Sequence, residues 1–173
     1  IEADADAHVG GVGGSNAGEI TDAYASGDVA NYPMASIAST QYVGSVGGFA
    51  GVNGFLRIPG TLTRTAARGN VSAAGDWMEL NIGGHTGWNN GGSIIDSYAT
   101  GQAFNRNASS LNIGGLFGLT RGGTVRYTYS SGLVYTSATG SINAGGLIGF
   151  NEFLDDVTFT PTTTVTGSFW DQD

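Results

Sequence analysis

The feature that most constrains this chain is an internal repeat. The frame x-Gly-Gly-x-x-Gly-x-Asn runs from Val9 to Asn16. It returns from Val46 to Asn53, Ile82 to Asn89, Ile113 to Thr120 and Ala144 to Asn151. Successive starts lie 37, 36, 31 and 31 residues apart. A second frame follows the first in four copies, spanning residues 18–29, 60–71, 92–103 and 123–134. Repeats of this period belong to stacked architectures, in which each unit buries its apolar face only against its neighbours.

Each period holds about three short extended runs, separated by Gly, Asn and Ser clusters that signal turns. No run carries a long 3.6-residue apolar stripe with caps, so helices are not expected. The pattern predicts an all-β fold: a right-handed parallel β-solenoid (β-helix) of about four to five coils, stacked about 4.8 Å apart. Residues 1–173 form a single solenoid domain in this reading, with repeats starting near 9, 46, 82, 113 and 144. The fifth copy departs after Asn151 into a Thr-rich stretch around Pro161, and closes on Gly167-Ser168-Phe169-Trp170-Asp171. It is expected to be an atypical C-terminal cap.

Stacking turns equivalent residues into columns. One core column is Ile20, Leu62, Ile94 and Val125; a second is Val29, Val71, Ala103 and Val134. A third is Val12, Phe49, Leu116 and Leu147, with His85 as the odd member, expected at a wet edge or in a local hydrogen bond. Gly27, Gly69, Gly101 and Gly132 are expected corners at positive φ. Asn16, Asn53, Asn89 and Asn151 are expected to form an amide ladder, interrupted by Thr120 in copy four. Tyr24, Tyr98 and Tyr129 align, with Ala66 in copy two. They share the parity of Ile20, whereas counting back from Val29 turns Ala23 and Ala25 inward instead. A reset of the alternation at the Gly27 corner favours Tyr inside. Arg64 stands between Asp22 and Asp96, where it relieves carboxylate repulsion.

The longer first periods place insertions at 30–45 and 72–81. Loops of this kind often carry binding in solenoids, so Trp77, Trp88 and Tyr32 are the binding candidates. Trp77 has an alternative role, folding back to cover one side of the solenoid.

Composition narrows the partners. Fourteen acidic residues against six Arg give a net charge of −8, and there is no Cys. Nothing can be stapled by disulfides, and a nucleic-acid backbone or anionic membrane is a poor partner. No stretch approaches the roughly 18 apolar residues of a membrane span. The start, Ile1-Glu2-Ala3-Asp4, has no basic residue and no apolar run, so it does not read as a signal peptide.

The segments IGGLFG at Ile113, AGGLIG at Ala144 and DSYATG at Asp96 resemble the GLUG-type repeats of bacterial surface adhesins and secreted proteins. The close at 167–171 is similar to the Ser-Tyr-Trp-Asp ending of such repeats. The resemblance implies an extracellular or cell-surface β-helical stalk or adhesive region, and brings no catalytic residues with it.

No nucleophile elbow, phosphate loop or zinc-spaced His pair is present in the sequence. The enzymatic alternative is a carbohydrate-binding or polysaccharide-cleaving β-helix using Asp22 and Asp96. Arg64 between them would keep both charged, which is wrong for a general acid, so the chain is expected not to be an enzyme. No cofactor is expected. Calcium is the ion the end acids suit, with Asp4, Asp6, Asp155 and Asp156 as candidate ligands against a plain solvated role. Asn70-Val71-Ser72 and Asn107-Ala108-Ser109 match glycan acceptors. The favoured function is an extracellular structural or adhesive module that associates end to end into a filament, with a glycan or host surface as a further partner. A solenoid has two open edges, and open edges recruit strands.

Overall fold

A computed structural model describes residues 6–32, 39–56, 58–75, 77–152 and 162–171. The chain is a right-handed parallel β-solenoid of five coils. The first coil comprises β1 (Ala7–Gly10), β2 (Gly13–Asn16), β3 (Glu19–Ala25) and β4 (Val29–Asn31). The second has β5 (Ser39–Gly47), β6 (Ala50–Asn53), β7 (Thr61–Ala67) and β8 (Val71–Ala73). The third has β9 (Trp77–Gly83), β10 (Thr86–Asn90), β11 (Ser93–Ile95), β12 (Tyr98–Ala99) and β13 (Ala103–Asn105). The fourth has β14 (Ser110–Gly114), β15 (Phe117–Arg121), β16 (Gly123–Arg126), β17 (Tyr129–Ser130) and β18 (Val134–Thr136). The fifth has β19 (Ser141–Gly145), β20 (Ile148–Glu152), β21 (Thr163–Thr166) and β22 (Phe169–Trp170).

Four sheets run along the axis. The first is ordered β1-β5-β9-β14-β19 and the second β2-β6-β10-β15-β20. The third contains β3, β7, β11, β12, β16, β17, β21 and β22, and the fourth runs β18-β13-β8-β4. Sequence equivalence is spatial register: Gly10 pairs with Gly47, Gly47 with Gly83, Gly83 with Gly114 and Gly114 with Gly145. Likewise Ile20 pairs with Leu62, Leu62 with Ile94, Ile94 with Val125 and Val125 with Val165.

Within a coil the Gly-Gly turn folds the second-sheet strand back against the first. It lies against the first-sheet backbone of the preceding coil with no side chain between them: a Cβ on Gly87 of the third coil would lie 2.6 Å from the Val46 nitrogen of the second. This arch divides the interior into two cores. Val46, Leu80, Ile82 and Ile113 of the first sheet meet Val29, Val71 and Ala103 of the fourth. Phe49, Leu116 and Phe117 meet Leu62, Ile94 and Val125 of the third. Leu62 and Ile94 are fully buried, each contributing about 1.5–3 kcal/mol of hydrophobic stabilisation. Ile20 and Val134, in the first and fourth coils, are only partly buried.

Two expectations need correction. The corner glycines Gly27, Gly69, Gly101 and Gly132 do not have positive φ. Midway along the third sheet, that conformation recurs once per coil at Asp22 (54°), Arg64 (51°), Asp96 (51°), Tyr127 (53°) and Gly167 (58°). The corner column is glycine because coils touch there: a Cβ on Gly101 would land on the carbonyl oxygen of Gly69. The stretches 30–45 and 72–81 are not simple bulges either. They lengthen the first sheet, where Ser39 of β5 pairs with Trp77 of β9. Residues 33–38 and 76 lie outside the described residues.

Asn16 donates from Nδ2 to Asn53 Oδ1 at 2.9 Å, and Asn53 to Asn89 Oδ1 at 3.0 Å. Asn89 turns to the carbonyls of Gly92 and Gly122. Beyond the Thr120 interruption, Thr120 Oγ1 donates to Asn151 Oδ1 at 2.8 Å. A second ladder runs with the opposite sense along the first sheet: Asn143 donates to Asn112, and Asn112 to Asn81, each at 2.8 Å.

Candidate functional site

The positive-φ residue in each coil inverts the side-chain alternation of the third sheet. Before it, Ile20 and its column face the core; after it, Ala25, Ala67 and Ala99 do. The tyrosines therefore point outward, and Tyr24 is 67% exposed. The parity counted back from Val29 holds because the reset lies at Asp22, before the tyrosine, and not at Gly27. A one-residue shift of phase turns every side chain to the other face.

Outside, the tyrosine column is a continuous stack. Tyr98 and Tyr129 lie 5.1 Å apart at 6°, and Tyr129 and Phe169 lie 5.6 Å apart at 11°. Coil two has Ala66 in this column, and Arg68, two residues on, fills the gap. Its guanidinium lies 5.4 Å from the Tyr24 ring centroid and 5.8 Å from that of Tyr98. Arg68 Nη2 donates to the Tyr98 phenol oxygen at 2.6 Å, which raises the Arg68 pKa. Ring faces are thus turned to neighbouring coils and ring edges to solvent. A sugar stacks on an aromatic face, so this column offers a free face only at its two ends. Phe104 and Tyr135 repeat the arrangement on the fourth sheet, 5.3 Å apart at 4°.

The three aromatic binding candidates do not converge. Trp77 is buried in the core between the first and fourth sheets, its Nε1 donating to the Ala74 carbonyl, so it is not an exposed binding residue. Trp88, on the second sheet, is half-buried beneath the Arg121 guanidinium, which also pairs with Glu152 at 2.6 Å. Tyr32, just past β4, is exposed and donates to Ser72 Oγ at 2.7 Å.

His85 is not at a wet edge. It is fully buried and stacks flat on Phe49, with ring centroids 5.1 Å apart at 8°. Nε2 lies 3.0 Å from Thr65 Oγ1 and Nδ1 2.9 Å from Thr86 Oγ1. Burial pushes its pKa down to about 3. The imidazole is a neutral core residue tied to two hydroxyls.

Arg64 binds Asp22 through two bonds, Nε to Oδ1 at 2.5 Å and Nη2 to Oδ2 at 2.7 Å. That bonding lowers the Asp22 pKa. A carboxylate so held is charged and is a poor proton donor. Of the calcium candidates, Asp6 accepts the Val43 backbone N–H at 2.9 Å. Asp4, Asp155 and Asp156 lie outside the described residues. Among the described residues no group of three or more His, Cys, Asp or Glu could hold a metal ion. Asn70 Oδ1 of the first glycan-acceptor match accepts the Gln102 N–H at 3.0 Å.

Sequence reasoning missed three features. Arg68 was legible in principle, because Ala66 and Arg68 depart from the repeat together and share one face. The second amide ladder was signalled by Asn81, Asn112 and Asn143, each just before the x-Gly-Gly of its copy. The third is an apolar knuckle in coil two, signalled by its longer gap between the two frames. Phe55 and Ile58 exchange two backbone hydrogen bonds there, and Leu56 stands at the tip, exposed, with φ of 51°.

Residues 5–30, the first coil, match the family described as the GLUG motif. No curated protein and no solved structure matches the chain.

Proposed function

We propose that this chain is a structural module of a surface-exposed or secreted assembly: a stiff rod segment that joins its own kind end to end. One observation carries the reading. Many of the described polar and aromatic side chains are paired with one another along the axis: amide to amide, guanidinium to phenol and carboxylate, ring to ring. Such columns stiffen a solenoid, and no catalytic step is assigned to them. A fold of this kind serves both scaffolds and enzymes, so the argument rests on the residues and not on the architecture.

The GLUG motif in the first coil supports placement at a cell surface or outside the cell. Protease shaving of intact source cells should release peptides of this chain before any cytoplasmic marker appears; release only after lysis would overturn that placement. End-to-end growth is tested by sedimentation velocity and electron microscopy of the purified chain. Multimers of one width and variable length are expected. A monomer at every concentration and salt would end the filament reading. Saturable binding to one class of oligosaccharide on a glycan array would favour an adhesive module instead.

A further inference from the structure

We infer that the fifth coil of one copy docks on the first coil of a second copy in repeat register, with Phe169 stacked on Tyr24 and Val165 covering Ile20 of that second copy. The inference rests on the end-to-end reading and specifies its joint.

Tyr24 has Arg68 against its ring on the coil-two side, and Phe169 has Tyr129 on the coil-four side. Both rings are more than half exposed, at opposite ends of one column. Stacking the ends continues a ladder whose spacing the molecule has already set.

In the Asn81–Asn112–Asn143 column each later coil supplies the donor. A coil that continues this ladder beyond the exposed Asn143 brings a donor to its Oδ1 in place of water. Coil one carries His8 in that column, since His8 pairs with Ser45 and Ser45 with Asn81. His8 Nδ1 has no hydrogen-bond partner among the described residues, but it is buried under its own chain, so the ring turns to donate across the joint. In the other ladder each earlier coil donates, so continuing it gives the exposed Asn151 Nδ2 an acceptor. Asn16 Oδ1 occupies that position in the next copy.

The column of Gly13 ends in Ile148, that of Ser15 in Phe150 and that of Ala25 in Trp170. In these three columns the C-terminal coil carries the larger side chain, so bulk there meets room in the first coil, while the Val9 column runs the other way and ends in Ala144. Charge does not oppose this register within the columns: Glu19 follows Thr164, and Asp22 follows Gly167. The net charge of −8 acts over longer range, so the joint forms better as salt rises. Three sheets cross the joint. The fourth ends at β18 among the described residues and leaves one storey unfilled.

The absence of Cys allows a direct test. Two single variants, Glu19→Cys and Thr164→Cys, are mixed and oxidised. In register the two Cα atoms lie about 4.8 Å apart, within disulfide reach, whereas inside one molecule four coil spacings separate them. The disulfide heterodimer is expected as the dominant product. Homodimers of either variant in excess would mean that like ends meet, and would overturn the joint. Multimers of the unmodified chain without heterodimer cross-links would also overturn the joint while leaving end-to-end growth standing. A unmodified chain that stays monomeric would remove both. Phe169→Ala and Tyr24→Ala should each weaken association about tenfold, and the two changes placed on facing ends should cost no more than one. Additive losses would show that these rings do not meet.

Discussion

Arg68 donates from Nη2 to the phenol oxygen of Tyr98 at 2.6 Å, and its guanidinium occupies the storey that Ala66 leaves empty in the tyrosine column. Two departures from the repeat, at residues 66 and 68, compensate each other.

This compensation gives the first prediction. Arg68→Thr alone leaves a gap between Tyr24 and Tyr98, and should lower the Tm. Ala66→Tyr alone drives a ring into the guanidinium and should also lower it. The double variant reproduces the Tyr98-Ala99-Thr100 sequence of coil three and should regain the loss. Thermal melts of the four proteins decide the point. A double variant no more stable than the worse single one would refute the compensation.

The second prediction concerns the interrupted amide ladder. Thr120→Asn places an acceptor where Asn89 Nδ2 can reach it and a donor where Thr120 Oγ1 now serves Asn151. Stability should rise by about 1 kcal/mol in urea unfolding. Asn53→Ala leaves the buried Asn89 Oδ1 without its donor, while Asn16 keeps its bonds to Gly18, and should cost about 1–3 kcal/mol. A destabilised Thr120→Asn chain would mean that coil four cannot accept the ladder.

Acid sensitivity should trace in part to His85. Its folded pKa is about 3, below its unfolded value near 6.5, so the unfolded chain binds the extra proton first. Stability therefore falls as pH drops from about 6.5 to about 3, by up to about 1.4 kcal/mol per pH unit from this one group. His8, also depressed by burial, adds a slope of the same sign. His85→Leu should flatten the profile in this window, measured as the difference from the native chain. Parallel profiles would count against a neutral buried imidazole.

A fourth prediction separates two positions in one column. Gly101→Ala forces a Cβ onto the Gly69 carbonyl and should destabilise by about 1–3 kcal/mol. Gly27→Ala meets nothing within 4 Å, because none of the described coils lies against that side of it, and should change stability by less than about 0.5 kcal/mol. Equal effects in chemical denaturation would imply a shared φ requirement instead of contact between coils.

The solenoid was legible because stacking writes itself into the sequence: Gly47, Gly83 and Gly114 recur at the period that pairs them. The core column of Leu62, Ile94 and Val125 followed from the same repeat. The outward turn of Tyr24 was misjudged because the phase reset occurs at a residue whose type varies. Asp22 and Asp96 tolerate left-handed φ, but Arg64 and Tyr127 give no such hint, and only Gly167 names the position openly. Trp77 carried two readings, exposed for binding or folded back over one side, because the longer period suggested a loop; the added residues extend the first sheet and bring the indole into the core. The environment of His85 depends on Thr65, twenty residues away in sequence and on another sheet. No local pattern reports such a meeting.

The backbone bonds that join coil to coil lie along the axis, so tension spread across a whole end loads many of them at once and no single one decides the yield. Force entering through one loose terminus instead opens the outermost strand alone, then the next. The rod is strong when gripped by its flat end and weak when gripped by its tail, so an assembly that must bear load does best to transmit it from face to face.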